Sequence, residues 1–191
     1  PGEALVRVLA CGLNNTDINT RTAWYSKSVE AGITEAAVID GYDASSDADG
    51  SWGNNEITFP RIQGADVCGI VENVAGDPDS GLVGKRVLID PWLLDNKVPG
   101  DMSKARYFGS EVNGGYAEYT VAPVGNIYPV DSSYSDAELA TFACAYGTAE
   151  NLIARTSLAA GETIVISGAS GGVGSAAIQL AKIRDARVIA I

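Results

Sequence analysis

The stretch that decides the fold reads Glu162-Thr-Ile-Val-Ile-Ser167 and continues directly into Gly168-Ala-Ser-Gly-Gly-Val-Gly174. Its first part is a continuous apolar run, which is expected of a strand buried on both faces of a parallel sheet. Residues 175–184 follow with helical spacing, and residues 187–191 have the character of a second strand. A strand, a glycine-rich turn, a helix and a strand within about 30 residues predict a βαβ unit of the dinucleotide-binding type.

The glycines of this turn suit a phosphate ligand. Without a Cβ, Gly171 and Gly172 let a phosphate approach the backbone, and Gly174 lets the helix pack close to the strand. The first N–H groups of the helix have no intrahelical acceptor, and the helix dipole favours negative charge there. We expect a nucleotide's pyrophosphate to face the backbone of Gly171, Gly172 and Val173, in a site formed by Gly168, Ser170, Gly171, Gly172, Val173 and Gly174. The alternative is a tight turn that is rich in glycine only for packing.

The first 134 residues read as a β domain. Apolar, β-compatible runs at residues 4–11, 67–74, 85–89 and 116–121 are bounded by Gly, Pro or Asp, and no long helical segment interrupts them. This pattern predicts a twisted, barrel-like sheet. A capping box, Ser135-Asp-Ala-Glu138, then opens a helical period, which we expect Gly147 to break before a second helix at residues 148–155. The predicted domains are therefore residues 1–134 and 135–191.

Composition excludes several function classes. The chain has 13 Lys and Arg against 24 Asp and Glu, a net charge of −11, which argues against a nucleic-acid partner. It has no histidine, which excludes a Ser-His-Asp triad and histidine-based zinc sites. No apolar run is long enough for a membrane span, so we expect no membrane partner. Three scattered cysteines, Cys11, Cys68 and Cys144, are expected to be reduced and buried, as in a cytoplasmic protein.

Two polar stretches, residues 40–55 and 95–106, are predicted to be surface loops. The first is acidic, but its carboxylates lack the alternating spacing of a Ca²⁺ loop, so we expect no metal there. The chain begins at Pro1 and ends in a run typical of an internal strand, so we expect it to be part of a longer protein.

Four segments resemble the medium-chain dehydrogenase/reductase family, which comprises the zinc alcohol dehydrogenases and the quinone oxidoreductases. They are, in the family's order, Gly12-Leu-Asn-Asn-Thr-Asp17, Phe59-Pro-Arg-Ile-Gln-Gly-Ala-Asp66 with Cys68-Gly-Ile-Val71, Gly114-Gly-Tyr-Ala-Glu-Tyr119, and the glycine turn with its helix. The resemblance covers nearly the whole chain. It implies a fold of the α/β plus β class, in which a GroES-like β-barrel catalytic domain precedes the first βαβ unit of a truncated Rossmann domain.

The resemblance also implies where a catalytic zinc would bind, and the chain departs from that pattern. Zinc-dependent members use a Cys in the early turn, the His of a Gly-His-Glu segment and a Cys shortly before a Thr. Here these positions hold Asn14, Ala65 and Cys144, with Asp66 beside Ala65. One thiolate and one carboxylate do not make a three-ligand zinc site, so we expect no zinc.

The zinc-free, quinone-oxidoreductase-like branch that the chain resembles implies an NAD(P)H-dependent reductase. Its members typically use NADPH to deliver hydride to a quinone, an enone or another conjugated carbonyl, so NADP is the expected cofactor. NAD stays open, because the residue that usually chooses between them lies just past the second strand. The implied catalytic residues are Asn14, Thr16 and Tyr25, and Thr148 is expected to contact the cofactor near its nicotinamide. We expect a small electrophilic substrate and a homodimer.

Each of these assignments has an alternative. Thr16 could cap a local turn, Tyr25 could anchor the loop after it, and Asn14 could occupy a left-handed turn. Asp17 is expected to tie the early turn together, and at least one of Tyr116 and Tyr119 to be a packing residue. The alternative functions are an alcohol dehydrogenase with a degenerate metal site and a non-catalytic nucleotide-binding protein.

Overall fold

The computed structural model describes residues 2–25, 39, 57–77, 79–94 and 105–191. Contacts divide the chain into two compact units, Pro1–Thr141 and Phe142–Ile191. The domains predicted from the sequence, residues 1–134 and 135–191, stay a prediction. The acidic stretch 40–55, with its expected lack of a metal, and most of the stretch 95–106 lie outside the described residues.

The first unit is mainly β-structure with short helices. Its described strands are β1 (Glu3–Gly12), β2 (Asp66–Val74), β3 (Arg86–Ile89), β4 (Trp92–Leu93), β5 (Arg106–Tyr107), β6 (Tyr119–Pro123) and β7 (Ile127–Pro129). Its described α-helices are α1 (Asn15–Arg21) and α2 (Asp136–Leu139). Five strands form an antiparallel sheet in the order β6-β1-β2-β3-β7, and β4 pairs with β5.

The core of this unit lies on one face of the five-stranded sheet. Along β1, Ala4 and Val6 are buried whereas Leu5 faces outward, because successive side chains of a strand point to opposite faces. Each fully buried Val, Ile or Phe side chain contributes about 1.5–3 kcal/mol by leaving water. The bulkiest side chains of this core are Val6, Val67, Val71, Val87, Ile89 and Phe108.

A second, smaller apolar cluster lies where the described chain stops at residue 25 and resumes at residue 57. Ala23 and Ile57 are almost fully buried and pack together. Close by in sequence, the guanidinium of Arg21 lies over the ring of Phe59, 5.6 Å from its centre. The described residues on the two sides of this gap therefore lie close together.

The second unit contains the βαβ unit that the sequence predicts. Its elements are α3 (Ala143–Arg155), β8 (Thr163–Ile166), α4 (Gly172–Ile183) and β9 (Arg187–Ala190). β8 and β9 pair in parallel, as strands joined by a helix do. Small buried residues on α3 and α4 let the two helices pack closely, and an ion pair between Glu150 and Arg184 also joins them.

The helix break predicted at Gly147 is wrong. α3 continues through Gly147, and the break falls earlier, between α2 and α3. A glycine inside a helix costs about 0.5–1 kcal/mol relative to alanine. The burial of Ala149 and Ile153 in the core of the unit outweighs this cost.

The start of α4 also differs from the prediction. The helix begins at Gly172 and not at residue 175, and Gly171 precedes it in an extended conformation. Glycine is a poor helix former, so sequence spacing alone favours a later start. The cost of glycine is one of backbone conformational entropy, and the burial of Ala176, Ala177 and Ala181 of this helix in the core outweighs it.

One predicted strand needs correction as well. The run at residues 116–121 becomes a strand only from Tyr119, because the N–H groups of Gly114, Gly115 and Tyr116 donate to carbonyl groups of residues 62–64. β8 is present as predicted and, within the described part of the chain, pairs with β9.

Candidate functional site

The early turn of the first unit is organised by Asn14, which is the N-cap of α1. Its backbone is extended, with φ −135°, so the left-handed alternative is wrong. Its Oδ1 accepts a hydrogen bond from the N–H of Thr16 at 3.1 Å, and its own N–H donates to Oδ2 of Asp17 at 3.0 Å. This capping box satisfies N–H groups that the first turn of a helix leaves without partners. The side chain that caps the turn is therefore that of Asn14.

Asp17 joins three segments that are distant in sequence. Besides Asn14, its carboxylate accepts from the N–H of Gly64 at 3.1 Å and from the hydroxyl of Tyr116 at 2.8 Å. Its backbone carbonyl accepts from Nε2 of Gln63 at 2.8 Å. Burial, and then the hydrogen bond to Asp17, raise the pKa of the Tyr116 phenol, which stays a donor. Asp17 thus ties the early turn to the rest of the unit, as the sequence suggests.

Asp66, the first residue of β2, places a carboxylate beside the early turn. It is only 2% exposed, and its Oδ2 accepts from Nδ2 of Asn14 at 3.3 Å. Cys11 lies near both acids. Burial, followed by the negative charges of Asp17 and Asp66, raises the pKa of the Cys11 thiol to about 12, so the thiol stays protonated.

The other two residues predicted to be catalytic lie together on and beside α1. The hydroxyl of Tyr25 donates to Oγ1 of Thr16 at 3.0 Å, and Nδ2 of Asn19 donates to the Tyr25 oxygen at 3.4 Å. Thr16 is buried, whereas Tyr25 and Asn19 are half-buried. Two hydroxyl groups in line can pass a proton from one to the other. The structure therefore brings Thr16 and Tyr25 together and places Asn14 at the start of the same helix.

Sequence reasoning missed Asn19, Gln63 and the role of Asp66. Asn19 follows Thr16 by three residues on α1, and residues three apart share a helix face, so the spacing could have indicated it. Gln63 and Asp66 reach the turn from about 50 residues further along the chain. No local pattern in the sequence carries that proximity.

The described residues of the first unit do not fit a catalytic zinc. Ala65 has no donor atom, and Oδ1 of Asn14 already accepts the N–H of Thr16. Among the described residues, no group of three or more His, Cys, Asp or Glu side chains lies close enough to hold a metal. A catalytic zinc needs three protein ligands, and no metal-dependent step is derived below.

In the second unit, packing explains two of the glycines of the turn. Gly168 has φ +65°, a conformation that favours glycine. A Cβ on Gly174 would lie 2.4 Å from the carbonyl oxygen of Gly168 and 2.7 Å from Cα of Ala169. Since both contacts are with backbone atoms, only glycine fits at residue 174.

Packing does not explain the other two glycines. A Cβ on Gly171 would meet the Gly168 oxygen at 3.4 Å, and one on Gly172 would meet Cβ of Ala145 at 3.6 Å, both ordinary contacts. Gly171 is the N-cap of α4, and no side chain caps this helix. An uncapped helix N-terminus without side chains in front of it fits the phosphates of a nucleotide. The alternative of a turn that is glycine-rich only for packing accounts for Gly168 and Gly174 alone.

The remaining predicted cofactor residues lie on the surface of the same unit. Ser170 is exposed within the turn, and Thr148 is exposed on α3. Thr148 follows Ala145, the residue that faces Gly172, by about one turn of the helix.

The three cysteines form no disulfide with one another. Cys68 and Cys144 are buried, as predicted. Cys11 is only half-buried, because it lies in β1 close to the edge of the core.

Comparisons with known proteins give this arrangement a context. The family model described as the alcohol dehydrogenase GroES-like domain matches residues 1–132. An NAD-dependent alcohol dehydrogenase of Sulfolobus acidocaldarius is 27% identical over 188 residues, which cover 95% of this chain and 48% of that protein. A solved structure from Sinorhizobium meliloti 1021, assigned as an alcohol dehydrogenase, is 39% identical with a TM-score of 0.77, over 99% of this chain and 48% of the other. The quinone oxidoreductase of Thermus thermophilus, solved also in complex with NADPH, is 26% identical with a TM-score of 0.61, over 99% and 44%.

The antiparallel sheet of the first unit and the βαβ unit of the second define a GroES-like domain followed by the beginning of a Rossmann domain. This confirms the predicted fold class. The chain belongs to the medium-chain dehydrogenase/reductase family, the family of the alcohol dehydrogenases and quinone oxidoreductases. It spans about half the length of the relatives that it matches. No helix in the described part of the chain is long and apolar enough to cross a membrane.

Proposed function

We propose that the protein is an NAD(P)H-dependent, zinc-independent oxidoreductase that transfers hydride to a quinone, an enone or another conjugated carbonyl. The observation that carries this proposal is the uncapped N-terminus of α4, where Gly171 and Gly172 keep the backbone open although packing does not require glycine. Zinc independence is supported by the early turn, where Asn14 and Ala65 stand at two of the positions that hold zinc ligands in zinc-dependent members of the family.

In this proposal the backbone N–H groups of Gly172 and Val173, together with the open backbone at Gly171, hold the pyrophosphate. Gly168, Ser170 and Gly174 shape the turn around it, and Thr148 contacts the cofactor near its nicotinamide. When bound, the nicotinamide supplies the hydride. NADP is the proposed cofactor, which agrees with the NADPH complex of the quinone oxidoreductase from Thermus thermophilus.

The residues in and beside α1 would act on the substrate. Hydride adds to the β-carbon of the conjugated carbonyl, and the electrons of the C=C bond move to the carbonyl oxygen. The amide of Asn14 donates a hydrogen bond to that oxygen as it becomes negative. Thr16 gives its proton to the resulting enolate and recovers one from Tyr25, whose hydroxyl donates to it at 3.0 Å. Tyr25 is half-buried and regains its proton from water. Asn19 holds the Tyr25 oxygen in place.

Gly172→Ala tests the proposed phosphate site. The added methyl group meets only Cβ of Ala145 at 3.6 Å, and alanine is the better helix former, so the thermal midpoint should stay the same or rise. The methyl group would occupy the phosphate position, and NADPH affinity should fall about tenfold or more. The matched control is Gly125→Ala, whose Cβ meets nothing within 4 Å in the first unit and should leave affinity unchanged. Equal affinity in Gly172→Ala and wild type would contradict the site.

A second experiment separates the alternative functions. The purified protein should oxidise NADPH in the presence of an enone or a quinone, and a metal chelator should leave the rate unchanged. Loss of activity on chelation, with recovery on adding Zn²⁺, would favour an alcohol dehydrogenase with a degenerate metal site. NADPH binding without turnover over a broad panel of electrophiles would favour a non-catalytic nucleotide-binding protein. We also propose that the protein is a cytoplasmic homodimer, which sedimentation analysis and subcellular fractionation would test.

A further inference from the structure

The side chain of Asn14 has two chemically different ends, and each has its own partner. Oδ1 accepts the N–H of Thr16 at 3.1 Å, at the N-terminus of α1, and Nδ2 donates to Oδ2 of Asp66 at 3.3 Å. An amide can rotate by half a turn and exchange its oxygen for its nitrogen with little change in shape. The hydrogen-bond partners therefore decide which end faces which way.

Both partners favour the same orientation. An ionised carboxylate only accepts hydrogen bonds, whereas a backbone N–H only donates them. Rotating the amide would place Oδ1 of Asn14 against the Asp66 carboxylate and Nδ2 against the N–H of Thr16, so that both hydrogen bonds would be lost. The contact with Asp66 requires the NH₂ group of Asn14 to lie on the β2 side of the turn.

The fixed orientation leaves one hydrogen available. Nδ2 carries two hydrogens, and Asp66 accepts one of them. Among the described residues, no acceptor is present for the other. Asn14 is half-buried, so this second hydrogen can reach a bound molecule. The side chain therefore offers a donor and no free acceptor, which suits an oxygen atom that gains negative charge.

The carboxylate of Asp66 is buried. The carboxylate is only 2% exposed, although its neighbours Ala65 and Val67 are apolar and equally buried. A buried carboxylate needs hydrogen-bond donors facing it, and Nδ2 of Asn14 is one of the donors to Asp66. A carboxylate only accepts hydrogen bonds, so it pairs with the NH₂ group of an amide and not with the amide oxygen.

We propose that Asp66 is a positioning residue, which holds the Asn14 amide so that its NH₂ group, and not its carbonyl, faces the substrate's carbonyl oxygen. This inference rests on the proposed function and extends it, because it restricts the group bound at this point to an electron-rich oxygen such as the carbonyl oxygen of an enone or quinone. A substrate that presents a hydrogen-bond donor here would find no acceptor on Asn14.

The test exchanges the two side chains. Asp66→Asn removes one of the two partners that orient the amide and leaves only the N–H of Thr16. We expect kcat for enone reduction by NADPH to fall about tenfold, with KM for NADPH unchanged. The double variant N14D/D66N keeps a hydrogen bond between the two positions with its polarity reversed. Asp is as good a helix N-cap as Asn, so the thermal midpoint should be close to that of the wild type. The carboxylate at position 14 has no hydrogen to donate, so kcat should stay about 100-fold low.

The matched control is Asp90→Asn, which makes the same chemical change at another half-buried carboxylate, one that accepts the N–H of Trp92. This control should keep wild-type kcat. Recovery of kcat in N14D/D66N, together with a wild-type thermal midpoint, would show that Asp66 has only a structural role and overturn the inference. If Asp66→Asn does not fold, Asp66→Ser makes the same test, because a hydroxyl both donates and accepts and does not favour one end of the amide. A wild-type kcat in folded Asp66→Ser would overturn the inference. Absence of any turnover in the wild type would overturn the proposed function and the inference together.

Discussion

At the scale of single residues, Cys11 should mark the alkaline limit of the fold. Burial and two neighbouring carboxylates raise the pKa of its thiol from 9.0 to about 12. Between these pH values the unfolded chain releases the proton and the folded chain keeps it. The unfolded state then binds fewer protons, and the free energy of unfolding falls as the pH rises. The thiol of Cys11 therefore destabilises the fold progressively above about pH 9.

Cys11→Ser removes this titration, because a serine hydroxyl does not ionise in the range. The urea midpoint, measured from about pH 8 to about pH 11, should decline less steeply in Cys11→Ser than in the wild type. Cys68→Ser is the matched comparison, since the pKa of Cys68 is raised only to about 11, and its effect should be smaller. Parallel declines in Cys11→Ser and wild type would contradict the raised pKa.

The residues of the early turn show which parts of the candidate site can be predicted from the sequence. Asn14, Thr16 and Tyr25 could be named as candidates because they fall in one short segment that resembles a known family. That Asn14 faces Asp66 could not be predicted, because the two are 52 residues apart and the pairing of β1 with β2 brings them together. The capping box at Asn14 and Asp17 was within reach of local reasoning, since its members are three residues apart.

At the scale of elements, the glycines of α3 and α4 should respond in opposite ways to the same substitution. Gly147 is exposed in the middle of α3, and a Cβ there meets nothing within 4 Å, so Gly147→Ala should raise the free energy of unfolding by about 0.5–1 kcal/mol. Gly174→Ala should lower it by about 1–3 kcal/mol, because its Cβ would lie 2.4 Å from the carbonyl oxygen of Gly168. Chemical denaturation measures both changes. A stable Gly174→Ala variant would show that the turn can rearrange.

The elements themselves were largely predictable where one periodicity dominates. β1, β2, β3, β8 and β9 fall close to the apolar runs from which they were predicted. The predictions were wrong where the local sequence preference competes with contacts from elsewhere in the fold. At Gly147 the local preference against a helix gives way to burial of the residues that follow, and at residues 114–116 hydrogen bonds to a distant segment replace the strand.

At the scale of the whole molecule, charge should influence how the cofactor binds. The chain carries a net charge of −11, and the turn at residues 168–174 contains no charged side chain. Attraction for phosphate there comes from backbone dipoles, which act over a short range, whereas the overall charge repels a nucleotide over a longer distance. Salt screens this repulsion. The association rate of NADPH should therefore rise as NaCl is increased from about 10 mM to about 150 mM.

Stopped-flow fluorescence of NADPH would measure this rate. Exchange of NaCl for an equal ionic strength of another monovalent salt is the control for specific ion effects. A rate that falls with salt would instead indicate that cationic side chains guide the nucleotide, as basic sites do. The overall composition predicts the direction of this effect, but which part of the surface carries the charge depends on the fold.

The contact between Ala23 and Ile57 has a consequence for engineering. The two residues are 34 positions apart in the sequence, so their contact closes a ring of the chain. The entropy lost on closing a loop grows only with the logarithm of its length, about 0.6 kcal/mol for each doubling. The number of residues joined by this contact therefore enters the free energy of unfolding only weakly, and engineering of stability here should address the two buried side chains themselves.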